Sequence, residues 1–119
     1  MNSVSRNVGT KLLFENDRLR VWDMLLEPGQ SCELHQHVYD YVFVNIKRAE
    51  LELNEPGRDP VGRALDDGFV QYVVVGPQGQ GAHLIRNAGE STLRQILVEF
   101  VGGSVASQAQ EPETNGRFL

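Results

Sequence analysis

Cysteine is nearly absent from this chain: Cys32 stands alone in 119 residues, so no internal disulfide can staple the fold. A single thiol fits a reducing compartment and a cytoplasmic location. With no second thiol and no basic cluster beside it, Cys32 reads as a small buried hydrophobe. Basic residues are scarce as well, 11 against 16 acidic ones, for a formal charge of −5. Without a cluster of Lys and Arg, a nucleic-acid-binding face is excluded. No apolar run approaches the roughly 20 residues of a membrane span. The stretch 1–10 is polar and lacks the apolar centre of a signal peptide.

Helix signals are also few, and strand signals take their place. Arg18 to Glu27 alternates and stops at the turn dipeptide Pro28-Gly29. Ser31 to His37 is expected to be the next strand, followed by Tyr41 to Lys47 and the alternating Ala49 to Asn54. Pro56-Gly57 and Asp66-Asp67-Gly68 are turns, and Phe69 to Val75 is strand-like. The glycine-rich loop 76–81 leads to a short strand, His83 to Asn87, and Thr92 to Val101 is a last strong one. Short strands separated by regular turns predict an all-β sandwich or barrel. The expected organisation is an N-terminal arm (1–10), a barrel (11–101) and a tail (102–119), the tail flexible or docked. The arm is expected either to fray or to add an edge strand to a partner.

All three histidines fall in one pattern, His35-x-His37 and, much later, His83. On an extended strand the first two rings share a face, and imidazole is the commonest metal ligand. A third ring from a distant strand would complete a facial set of nitrogens and leave other coordination positions open. The expected cofactor is a divalent transition metal such as Fe, Mn, Co, Ni, Cu or Zn.

These residues carry a family resemblance. Gly29, five residues and His35-x-His37 resemble the first motif of the cupins, and His83, three residues and Asn87 resemble the end of the second. Glu15 to Trp22 and Tyr39 to Val44 are similar to the corresponding strands of small single-domain cupins, loosely those associated with β-alanine degradation. The resemblance spans about residues 12 to 101. It implies a double-stranded β-helix, or jelly-roll barrel, with the histidines inside. It leaves the reaction open, because this fold hosts many chemistries.

The departures from the motif shape the expected site. Where the family has a Glu ligand after the second His, this chain has Tyr41 and Val42, and Arg48 stands near the place of the closing Gly. Pro77-x-Gly79 lies one residue too far upstream of His83, which predicts a longer, looser loop. Tyr41 has three readings: a hydrogen-bond donor to a metal-bound water or substrate, hence a catalytic candidate; a metal ligand, only if its high pKa is lowered; or wall packing with its hydroxyl on a polar partner. Asp40 is expected at the surface, pointing away from the interior, unless a bulge after His37 turns it toward the histidines and the place of the missing Glu.

Gln71 or Tyr72 is expected to face the cavity. Arg86, Arg94 and Glu99 are charges on apolar strands, and an inward one would orient a substrate or exchange a proton with it. Gln71, Tyr72, Arg94 and Glu99 are therefore the substrate-binding candidates. Asn87 is expected to brace the turn after His83, and Trp22 and Phe43 to lie in the core.

Three functions fit these features. The first is a metal-dependent enzyme, dioxygenase-like or an isomerase or dehydratase, acting on a small polar or anionic metabolite. The second is a non-catalytic small-molecule sensor or accessory protein, and the third a metal-free enzyme using His, Tyr and a carboxylate. A homodimer is expected in each case, because the apolar edge strands of a small sandwich need covering.

Overall fold

A computed structural model describes residues 4–102, and all its regular elements are strands. They are β1 (Lys11–Glu15), β2 (Leu19–Leu26), β3 (Tyr41–Asn45), β4 (Ala49–Asn54), β5 (Val61–Leu65), β6 (Val70–Val73), β7 (Leu84–Asn87) and β8 (Leu93–Phe100). One sheet has the order β1-β2-β8-β3-β6 and the other β5-β4-β7, with every neighbour antiparallel. The tail expected over residues 102–119 falls almost wholly on 103–119, outside the described part.

Alternation decides what each strand contributes to the interior. Along β8, Leu93, Gln95, Leu97 and Glu99 are buried while the residues between them are less so. On its neighbour β2, Trp22, Met24 and Leu26 face the same interior, and Leu51 and Leu65 close it from the other sheet. Turn chemistry sets the corners: Gly29 (φ 85°) and Gly68 (φ 72°) take left-handed conformations that a side chain would strain. Asn45, fully buried, holds the corner after β3 by donating its side-chain N–H groups to the carbonyls of Lys47, Leu65 and Asp66. Asn87 braces the turn after β7, as expected, donating to the carbonyls of Leu26 and Ser91 and accepting from the Gly89 amide.

Three expectations are corrected. Ser31 to His37 is not a continuous strand; it is tied by isolated bridges, Ser31 to Arg86 and His35 to both His83 and Ser5. Its amides change partner along the way, Cys32 and His35 bonding to β7 and its approach while Gln36 bonds to Ser5. No ladder of consecutive residues can form. Asp40 is buried rather than at the surface. It does point away from the cavity, but the end of β6 covers it, its carboxylate accepting from the Val75 amide (2.8 Å) and the Tyr72 hydroxyl (3.2 Å).

The third correction concerns the arm, which runs against its own barrel from residue 4 onward. Val8 is fully buried, Ser5 bridges His35, and Thr10 bonds to Asp23. Gly9 permits this approach, since a Cβ there would stand 2.6 Å from Trp22 Cβ and 2.7 Å from the Asp23 carbonyl oxygen. Gly9→Ala is therefore expected to cost about 1–3 kcal/mol, read as a fall in the calorimetric melting temperature. An unchanged midpoint would show that the arm is not packed this way.

Candidate metal centre

His35 and His83 come from distant parts of the chain and are clamped by a reciprocal pair of backbone hydrogen bonds, each N–H···O at 2.9 Å. His37 follows two residues later on the same segment. The three rings meet edge-on or stacked, with centroids 5.0 Å apart for His35 and His37, 4.6 Å for His35 and His83, and 5.3 Å for His37 and His83. One nitrogen from each lies within 4.8 Å of the others, and no carboxylate joins the group among the described residues. All three side chains are buried.

The ring nitrogens have distinct duties. Nδ1 of His35 lies 2.9 Å from the Glu33 carbonyl, and Nδ1 of His83 lies 3.2 Å from the Gly81 carbonyl. A carbonyl only accepts, so in both rings Nδ1 carries the proton and Nε2 keeps the lone pair. That fixed tautomer is the arrangement of metal-binding histidines generally. His37 Nδ1 is buried with no hydrogen-bond partner among the described residues. Burial holds His35 down to about 4 and, with help from the neighbouring His35 and His83, His37 down to about 3. Burial lowers His83 too. All three rings are therefore neutral donors at physiological pH. Close, neutral nitrogens and one orphaned ring atom fit a borderline divalent cation.

The rings stand at the wall of a cavity of about 180 Å³. Tyr41 stacks on His37 (3.8 Å between centroids, 15° between planes) and donates its hydroxyl to Gln80 Oε1 at 3.2 Å. Tyr41 thus lines the site as a packed ring with its hydroxyl on a polar partner. Burial raises its pKa, which keeps the phenol protonated. Gln80 is delivered by the loop 76–81, which is tied down rather than loose: Gly79 closes a turn onto Gly76, and the Gln80 amide bonds to the His37 carbonyl at 3.0 Å.

Of the pair on β6, Gln71 faces the cavity, its Oε1 buried and without a partner among the described residues. Tyr72 faces outward, 55% exposed, and serves Asp40. Arg94 and Glu99 do not line this cavity either. Arg94 is held on the outer face by a bidentate pair with Asp23, because β8 alternation turns it away from Gln95 and Leu97. Glu99 is inward but lies beyond the cavity, accepting the Trp22 indole N–H at 2.8 Å. Arg86 pairs with Glu52. Phe43 lines the cavity wall, while Trp22 and Cys32 are buried in the core. Sequence reasoning missed Glu55, Arg63 and Gln80, which add polar groups to the lining. All three sit just past or within weakly patterned segments, so no periodic signal marked them.

No protein-family model and no curated protein sequence matches the chain. Solved structures do. A cupin domain from Bordetella pertussis superposes with a TM-score of 0.67 at 21% identity, over 82% of this chain and 98% of that one. The fold is that of the cupins. An uncharacterised conserved protein with a double-stranded β-helix domain from Klebsiella pneumoniae is similar at TM-score 0.60 and 19% identity, over 85% and 84% of the two chains. An RmlC-like cupin family protein from Methanocaldococcus jannaschii is similar at 0.57 and 16%, over 88% and 93%. In this cupin barrel the three buried histidines can hold a metal ion, and among the described residues no helix is long and apolar enough to cross a membrane.

Proposed function

We propose that this cupin is a metal-dependent enzyme acting on a small polar or anionic metabolite. The observation that carries the reading is the convergence of three neutral, buried imidazole nitrogens on the wall of one cavity. His35, His37 and His83 would hold the ion, which when bound supplies Lewis-acid or oxygen-activating chemistry. Three neutral ligands leave the ion's positive charge uncompensated, which favours an anionic oxygen donor as ligand. That points to oxygen insertion, isomerisation or dehydration rather than chemistry needing a carboxylate-bound ion.

The remaining residues divide the work of holding the substrate. At about 180 Å³ the cavity has room for roughly six water volumes, enough for a compact metabolite. The unpartnered Gln71 Oε1 calls for an N–H or O–H donor on the substrate. Tyr41, oriented by Gln80, presents a protonated phenol that can donate to a substrate oxygen. Leu51, Leu97 and Val73 exclude water from the apolar side.

The test is metal content by plasma mass spectrometry on untagged protein, with oxygen uptake and isomerase or dehydratase panels on the loaded form. About one equivalent of iron, manganese, nickel or zinc, together with turnover, is the expected result. No metal after reconstitution with each ion would overturn the reading, and metal without turnover would leave a binding protein. Tyr41→Phe is expected to spare metal content and lower kcat about 10²-fold, the low end for a positioned proton donor. An unchanged kcat would reduce Tyr41 to a packed wall.

The exposed apolar side chains Val70 and Tyr72 lie on the edge strand of the larger sheet, and Val74 just past its end. We propose that a second copy covers them. Val74→Lys is then expected to convert a sedimenting dimer to monomer, and a wild-type monomer would rule the dimer out.

A further inference from the structure

A second cavity, of about 190 Å³, lies apart from the histidines, and the reading above makes no use of it. It is lined by Arg6, Arg20, Gln36, Val38, Tyr39 and Glu99. Arg20 and Glu99 face each other in register across β2 and β8, at the end of the strands where Trp22 begins the apolar core. The N-terminal arm brings Arg6, and the segment between His35 and β3 brings the others. Arg20 is held in place by Glu15 at 2.8 Å, with its guanidinium 5.9 Å from the centre of the Tyr39 ring.

The lining is underused. Glu99 is 1% exposed, yet only one of its oxygens is engaged, by the Trp22 indole N–H. Its other oxygen accepts nothing from the described residues, and Glu99 is part of the cavity wall. Burying a carboxyl group this deeply costs free energy unless its hydrogen-bonding capacity is met. Among the described residues Arg6 has no ion pair, and the side chains of Gln36 and Tyr39 likewise make no hydrogen bond across the space. A cation, an amide and a phenol thus converge on a pocket whose far wall is an acceptor.

We propose that this pocket is a second binding site, for a small carboxylate bearing an adjacent hydrogen-bond donor, an α-amino or α-hydroxy acid. The ligand carboxylate pairs with Arg6 and takes hydrogen bonds from Gln36 and Tyr39. Its amino or hydroxyl group donates to the free oxygen of Glu99. Volume agrees, since the pocket holds roughly six waters. The ligand also sits against Gln36, whose chain neighbours are two of the candidate metal ligands. The site does not depend on the metal.

Titration calorimetry on metal-stripped protein tests this, with L-alanine, L-lactate and propionate as matched probes. Alanine or lactate is expected to bind at least about ten-fold more tightly than propionate, because only they can satisfy Glu99. Arg6→Gln, at an exposed position, is expected to weaken that binding about ten-fold or more with an unchanged melting temperature. Which of the two acids binds identifies the donor. No binding by either, equal binding of propionate, or undiminished binding by Arg6→Gln would each overturn the site. Because the protein is metal-free throughout, none of these outcomes bears on the metal centre.

Discussion

Taking the metal-free protein from pH 7 to pH 5 is expected to cost it roughly 4 kcal/mol of folding stability. The cause is the pair of imidazoles held down by burial to about 4 (His35) and about 3 (His37). In the unfolded chain both titrate near 6.5, so below that pH the unfolded state binds protons that the folded state refuses. Stability is therefore full above about 6.5 and falls as the pH drops through the unfolded value toward the folded ones. At pH 5 each ring forfeits on the order of 2 kcal/mol. His83, also lowered by burial, adds to the same loss.

Glu99 acts the other way. Burial raises its folded pKa, so it contributes stability below its unfolded value and loses it as the pH rises through the folded one. This offsets part of the histidine effect only on the acid side. The loss is large against a typical total of about 5–15 kcal/mol, so the apo protein is expected to be close to unfolding at pH 5. Urea denaturation at pH 7, 6 and 5 after chelation reads this directly. A flat profile would mean that the rings are not buried as a neutral cluster. Loading the metal should flatten the profile, because protons must then displace the ion.

The second large effect is on the metal itself. The His35→Ala, His83→Ala variant is expected to lose at least about 10⁴-fold in metal affinity, since even removing an outer partner of a ligand costs roughly 10–100-fold. Its fold should survive, because the reciprocal bonds between these positions are made by backbone atoms. The same variant keeps only the His37 ring, so its loss of stability between pH 7 and pH 5 should fall to about half the wild-type value or less. That second readout separates loss of ligands from loss of structure. Wild-type metal content in a folded variant would show that the ion binds elsewhere.

Much of this could be read before any fold was known. Alternation placed β2, β4 and β8 to within a residue or two, since each strand has one face on the core and one on solvent. The spacing of His35, His37, His83 and Asn87 pointed to the cupin barrel and to a cluster of rings inside it. Lys11–Glu15 and Val61–Leu65 escaped notice because edge strands with almost no buried face carry no alternation.

Tertiary structure alone settled the matters that depend on several segments at once. Asp40 is buried because the end of β6 lies over it, and Glu99 meets Trp22 because β2 and β8 pair in one register. Gln71, rather than Tyr72, reaches the cavity because β6 pairs with β3 in a register that puts it opposite Phe43. A periodic pattern reports which face of a strand is apolar. It carries no record of which distant residue will stand across from that face, and the chemistry of both cavities is set by that pairing.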